Sequence, residues 1–171
     1  MIKALTKRFE AIPLASTLLR RLFFAYYRPV VKKELALANI QACDHVLFVG
    51  VGSMPVSAAL VVNQSGATLT GIDMDFHAVA RASHFAKRFG LHRTRFMHAV
   101  GESMNVKDHN VIILAKQLIH KQAVIDHLVA SAKAGTRIII RTARKERLNI
   151  KRLAGVSHRG RGVSTSVLCV A

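Results

Sequence analysis

From Ala42 onward, short apolar runs alternate with longer segments in which apolar residues recur every three or four positions. The runs predict buried β-strands, and the longer segments predict helices that pack through one face. Strands are expected at 45–50, 68–73, 94–98, 110–115 and 136–141, and helices near 54–64, 76–89 and 119–133. This alternation predicts a parallel sheet with helices on both faces.

The C-terminal segment breaks the alternation, because two strand-like runs follow the fifth strand without a helix between them. They are 149–157 (NIKRLAGVS) and 163–170 (VSTSVLCV), separated by a turn at 158–162. Such a pair predicts an antiparallel hairpin that closes the sheet.

Residues 1–40 show helical periodicity interrupted by prolines. Apolar residues recur at helical spacing before Pro13 and again before Pro29, which predicts two amphipathic helices, and 31–40 (VKKELALANI) predicts a further helix. We expect an N-terminal helical cap over 1–40, packed on a domain that spans 41–171. The eight basic residues of the cap segment leave a second interpretation open, an anchor on an anionic membrane.

Charge adds information about partners. The chain has 26 Lys and Arg against 9 Asp and Glu in 171 residues, a formal net charge of +17, which favours phosphates, anionic lipids or acidic proteins. Aromatic residues make up only 6% and Trp is absent, so a base-stacking platform for nucleic acid is not indicated. A basic surface that is merely solvated remains an equal alternative.

Cysteine, histidine and hydropathy patterns exclude several classes. Cys43 and Cys169 predict neither a disulfide framework nor a zinc knuckle, and the nine histidines lack ligand spacing, so no metal site is predicted. No apolar run reaches the roughly 20 residues of a membrane span, and charges interrupt the N-terminal region where a signal peptide needs an apolar core. We expect a cytoplasmic protein, with peripheral membrane attachment left open.

The stretch 46–57, VLFVGVGSMPVS, carries the strongest chemical signal. A buried strand ends in Gly50, Val51, Gly52 and Ser53, and Pro55 opens the next helix. A strand that turns on glycines into a helix leaves backbone N–H groups facing outward, where a small polar ligand can dock. A third glycine of a dinucleotide-binding turn is replaced by Pro55, which counts against NAD.

Three segments resemble the class I S-adenosylmethionine-dependent methyltransferase superfamily and, within it, nicotianamine synthase. GVGSMPVSA is similar to that family's GSGPLPLTS-type turn, GIDMD to its YDID-type strand end, and RTARKER to its RSAHGAR-type segment. The resemblance covers Ala42 to Ala171 of a chain much shorter than a nicotianamine synthase. It implies an α/β Rossmann-like fold of five parallel strands plus a closing antiparallel hairpin.

The resemblance implies that the carboxyl ends of the strands bind S-adenosylmethionine. Asp73 would accept both ribose hydroxyls, Met74 would cover an adenine face, and Asp75 is the better candidate for the N-cap of the next helix. The expected cofactor-binding residues are Gly50, Val51, Gly52, Ser53, Pro55, Asp73, Met74, Ala99, Val100 and Leu114.

Cations at the same rim predict an acceptor with a carboxylate or phosphate. Lys116, Arg141 and Arg144 are the substrate-pocket candidates, with solvated surface cations as the alternative. No catalytic residue is assigned, because displacement at a sulfonium requires alignment more than acid–base chemistry.

Three functions remain open. The one favoured by the sequence is methyl transfer to a small anionic substrate or a lipid headgroup. The second is aminocarboxypropyl transfer, which the resemblance to nicotianamine synthase implies. The third is a non-catalytic basic module that binds nucleic acid or an anionic membrane.

Overall fold

The computed structural model describes residues 17–143, 154–159 and 164–170, which form a seven-stranded sheet flanked by helices. The strands are β1 (His45–Val49), β2 (Thr68–Asp73), β3 (Thr94–His98), β4 (Val111–Leu114), β5 (Arg137–Thr142), β6 (Ala154–Arg159) and β7 (Ser164–Cys169). The helices are α1 (Thr17–Leu37), α2 (Val56–Ser65), α3 (Phe76–Arg88) and α4 (Lys121–Ser131).

The strand order is β3-β2-β1-β4-β5-β7-β6. Strands β1 to β5 are parallel, and β7 lies antiparallel between β5 and β6. The predicted architecture is therefore confirmed, although β6 continues two residues into the predicted turn and its expected start, 149–153, lies outside the described residues. The order reverses between β1 and β4, and a crevice at the carboxyl end of such a reversal is where α/β sheets bind ligands.

Alternate residues of β1 supply the two halves of the core. Val46 and Phe48 belong to the cluster on the face covered by α1, α2 and α3, whereas Leu47 and Val49 pack with α4 on the other face. The strand is thus buried on both sides, as its continuous apolar run predicts.

The N-terminal region differs from the prediction, because one helix, α1, continues through Pro29 to Leu37. The expectation of a helix ending before Pro29 and a separate helix over 31–40 is wrong. A proline inside a helix costs about 3 kcal/mol, but Phe24 and Tyr27 before it and Val31 after it pack against the same core. Burial on both sides of the proline outweighs the lost hydrogen bond.

Two predictions about this region stay predictions. The helix expected before Pro13 lies outside the described residues, and nothing tests a domain boundary at residue 40.

Among the helices that the structure describes, none combines the length and the apolar character that crossing a bilayer requires.

Candidate functional site

The glycine turn after β1 is fastened to the end of β2. Gly50 and Gly52 have φ values of 80° and 68°, a left-handed conformation that glycine adopts without steric cost. The amides of Gly50 and Val51 both donate to the carbonyl oxygen of Ile72, at 2.9 and 3.1 Å. The turn is therefore held by the neighbouring strand as well as by its own backbone.

The carboxylate of Asp73 completes this attachment. Its Oδ2 accepts from the amide of Gly52 at 2.8 Å, and its Oδ1 accepts from the amide of Asp75 at 3.0 Å. The prediction that backbone N–H groups of the glycine turn face outward is therefore wrong for Gly50, Val51 and Gly52, whose amides are all bonded to β2. Each carboxylate oxygen has two acceptor positions, so one position on each oxygen remains beyond these bonds.

The space beside this carboxylate is open and partly apolar. A Cβ added to Gly52 would meet nothing within 4 Å. Met74, the predicted adenine contact, and Val100, a predicted cofactor-binding residue, are 55% and 45% exposed. Phe76 and Ile119 are also exposed along this edge. Large apolar side chains exposed together at a strand edge are typical of a ligand site.

The segment after β3 is held against the same edge. The amide of Ala99 donates to the Asp73 carbonyl at 3.1 Å, and Nε2 of His98 lies 3.0 Å from the Met74 carbonyl. Because a carbonyl oxygen only accepts, Nε2 carries a proton in this contact. These bonds hold the start of the segment that contains Val100 against the end of β2.

Other predicted cofactor residues lie behind the surface. Val51, Ser53 and Pro55 are buried, and Leu114 is fully buried in the core next to α4. Their side chains therefore support the turn from the core. Any contact of the Leu114 side chain with a ligand would need displacement of its neighbours.

The loop between β4 and α4, residues 115–120, closes over the glycine turn. A Cβ on Gly50 would lie 2.5 Å from Cδ2 of Leu118, which shows how closely this side chain covers the turn. The half-buried predicted residue Lys116 belongs to the same loop. Its carbonyl accepts from Nζ of the buried Lys121 at 2.6 Å, and Lys121 also donates to the Arg141 carbonyl at 3.0 Å. Lys121, which the sequence analysis did not identify, thus joins the ends of β4 and β5.

Arg141 has a different environment from the one predicted. Its guanidinium is buried and donates from Nε and Nη2 to both carboxylate oxygens of Glu34, at 2.7 and 2.6 Å, and from Nη1 to Ser57 at 3.1 Å. Thr165 also donates to Glu34, at 3.4 Å. These contacts are against a substrate-binding role for Arg141, because a buried carboxylate already matches its charge. Arg144 lies outside the described residues.

The start of α3 agrees with the sequence analysis. Asp75 is the N-cap, and its side chain accepts from the amides of His77 and Ala78 at 2.8 and 3.3 Å. The hydrogen bond from the amide of Ala78 holds the pKa of Asp75 below its usual value, against an opposite effect of desolvation and with a further contribution from the amide of His77. Across the described ranges, no three His, Cys, Asp or Glu side chains come together as a metal site.

Comparison with known proteins gives one family and one group of relatives. The model of the nicotianamine synthase protein family matches residues 11–157. The L-histidine 2-aminobutanoyltransferase of Pseudomonas aeruginosa is 30% identical over 113 residues, which cover 65% of this chain and 43% of that protein. The chain therefore spans less than half the length of this relative.

Solved structures with the same fold include one bound to S-adenosylmethionine and one bound to S-adenosyl-L-homocysteine. A mutant of MtNAS in complex with S-adenosylmethionine has a TM-score of 0.81 and 18% identity, over 96% of this chain and 69% of that one. An RNA methyltransferase from Salinibacter ruber in complex with S-adenosyl-L-homocysteine has a TM-score of 0.71 and 21% identity, over 83% and 90%. At these identities the similarity establishes the Rossmann-like methyltransferase fold.

Proposed function

The chain belongs to the nicotianamine synthase family, and from that membership we propose that it transfers the aminocarboxypropyl arm of S-adenosylmethionine to the amine of a small acceptor. The resemblance in the sequence implied this chemistry as an alternative to methyl transfer. The relative that is named as an aminobutanoyltransferase now favours it over methyl transfer. A cytoplasmic location is part of the same proposal.

The observation that carries the proposal is the carboxylate of Asp73, bonded to the glycine turn at Gly52. Its two remaining acceptor positions match the two hydroxyls of a ribose, and the exposed side chains of Met74 and Val100 lie where an adenine would follow. The residues present therefore fit an adenosine. Backbone atoms of Gly50, Val51, Gly52 and Ser53 would surround the remainder of the cofactor.

S-adenosylmethionine would supply a carbon bonded to a sulfonium. The unprotonated acceptor amine would form a C–N bond to that carbon as its C–S bond breaks, methylthioadenosine would leave as a neutral thioether, and the amine's proton would pass to solvent. The protein has to hold the acceptor amine in line with that carbon, and alignment of this kind can lower a reaction barrier by about 7–11 kcal/mol. Loop 115–120 adjoins the glycine turn, so it is the segment that would position the acceptor. Lys116 in this loop is the candidate to contact an acceptor carboxylate, and an amino acid such as L-histidine carries one.

Product analysis tests the proposal. The protein is incubated with S-adenosylmethionine and L-histidine, then with other amino acids, and the nucleoside product is identified. Methylthioadenosine together with a new C–N bond on the acceptor supports arm transfer, whereas S-adenosylhomocysteine identifies methyl transfer. Binding of neither S-adenosylmethionine nor methylthioadenosine in calorimetry would leave the third function, a non-catalytic basic module.

Asp73→Ala tests the site in this experiment, and Asp75→Ala is its matched control. Both changes remove one carboxylate from the connection between β2 and α3, but only Asp73 faces the predicted ribose position. Product formation that survives Asp73→Ala unchanged would contradict the proposed site while leaving the family assignment intact.

A further inference from the structure

The outward face of α1 combines exposed apolar and cationic side chains in two adjacent rows. Leu22 and Tyr26, one turn apart, are 59% and 57% exposed. Arg21, Arg28 and Lys32 are also exposed and follow the spacing i, i+7, i+11, which places them on one side of the helix next to the apolar row. We call these five side chains the α1 face.

The α1 face carries no carboxylate. Glu34 is the single acidic residue of α1, and it is fully buried, with Arg141 as its partner. The positive charges of the face are therefore not offset on their own helix. From Arg21 to Lys32 they extend over about 17 Å at 1.5 Å per residue.

A second cationic surface differs in its apolar content. The exposed Arg81, Lys87 and Arg88 lie on α3 near the exposed Ala80 and His84. The large exposed apolar residue of α3, Phe76, lies in the first turn, where its ring packs edge-on against that of His98. Basic side chains alone are expected on a chain with a net charge of +17. The α1 face differs in having two large apolar side chains, Leu22 and Tyr26, among its cations along the helix, whereas α3 exposes Phe76 at its start.

We propose that the α1 face docks on an anionic lipid bilayer. Leu22 and Tyr26 would enter the headgroup region, where an aromatic ring with a hydroxyl is favoured, and the three cations would contact lipid phosphates. A nucleic acid fits less well, because the Tyr26 ring packs edge-on against Tyr27 at 5.1 Å and is not arranged as a platform for base stacking.

The test measures partition of the full chain onto phosphatidylcholine vesicles with and without phosphatidylserine. The variant Arg21→Gln/Arg28→Gln/Lys32→Gln removes three charges from the α1 face. The control Arg81→Gln/Lys87→Gln/Arg88→Gln removes three charges from α3 and therefore gives the same net charge. We expect the first variant to lower partition onto phosphatidylserine vesicles about 100-fold and the second to lower it only slightly.

The apolar row has its own variant, Leu22→Ser/Tyr26→Ser, for which we expect weaker partition at unchanged charge. Thermal unfolding and circular dichroism confirm that each variant is folded, which exposed positions should allow. Equal losses in the two charge variants would overturn the proposal, since attraction would then reflect net charge alone. Equal partition with and without phosphatidylserine, or release of the bound protein by single-stranded RNA at equal phosphate concentration, would overturn it too.

Discussion

The side chain of Asp73 accepts a hydrogen bond from the amide of Gly52, 21 residues earlier in the chain, at 2.8 Å. The last residue of β2 is thereby joined to the turn that follows β1. The carboxylate is oriented before any ligand binds, which reduces the ordering cost of binding. This contact, together with the bonds from Gly50 and Val51 to Ile72, fixes the turn relative to the carboxylate.

The first prediction concerns Asp73→Ala. Loss of a charged acceptor is expected to weaken S-adenosylmethionine and methylthioadenosine about 10- to 100-fold, because both contain the ribose. Isothermal calorimetry measures both affinities, with Asp75→Ala as the control that removes the α3 cap instead. Unchanged affinities in Asp73→Ala would mean that the ribose binds elsewhere.

The second prediction separates the two ends of the ligand. Lys121→Met removes the ammonium that joins the carbonyls of Lys116 and Arg141, so loop 115–120 should lose its fixed position over the glycine turn. We expect roughly tenfold weaker S-adenosylmethionine but unchanged methylthioadenosine, which lacks the amino-acid arm. An equal loss for both ligands would indicate general destabilisation, and thermal unfolding of the same variant provides that comparison.

The third prediction concerns the buried pair of Glu34 and Arg141. Glu34→Leu leaves a buried guanidinium without its carboxylate, and the free energy of unfolding should fall by about 3–5 kcal/mol. The double change Glu34→Leu/Arg141→Met removes both charges. Its loss of unfolding free energy should be clearly smaller than the summed losses of the two single variants. Urea denaturation measures all of these variants, and strictly additive losses would contradict a direct interaction.

The fourth prediction is a pH dependence of stability. Burial lowers the pKa of His109 from its usual 6.5, against a smaller opposite effect of Asp108, and its buried Nδ1 has no hydrogen-bond partner among the described residues. The unfolded chain therefore binds this proton at a higher pH than the folded one. This contribution to stability is complete above pH 6.5 and is lost as the pH falls through the folded pKa.

Urea midpoints over that range check the pH prediction. In His109→Asn the fall in stability below pH 6.5 should be smaller than in the wild type. Parallel curves for the two proteins would assign the pH dependence to other titratable groups and contradict this role of His109.

The sequence was most informative about the positions of the strands. The strands at 68–73 and 94–98 have the predicted bounds, and β1, β4 and β5 differ from theirs by one residue at the ends. In β1 and β4 a run of buried apolar residues specifies the strand locally. The N-cap at Asp75 was predictable for the same reason, since a cap acts within three residues.

Contacts between distant segments were not predictable. Glu34 and Arg141 are 107 residues apart, and no local pattern distinguishes a paired arginine from one that awaits a substrate. The break expected at Pro29 failed because tertiary packing on both sides of it outweighed the local cost. The bonds from the glycine turn to β2 depend likewise on which strand is the neighbour.

Glu34 of α1 neutralises Arg141 of β5. Separation of α1 from the sheet would therefore leave the buried guanidinium without its carboxylate. Helix and sheet are therefore expected to unfold in a single cooperative step. If α1 rests on a bilayer, the whole domain is held there as a rigid body. The distance between the lipid surface and the carboxyl ends of the strands is then constant.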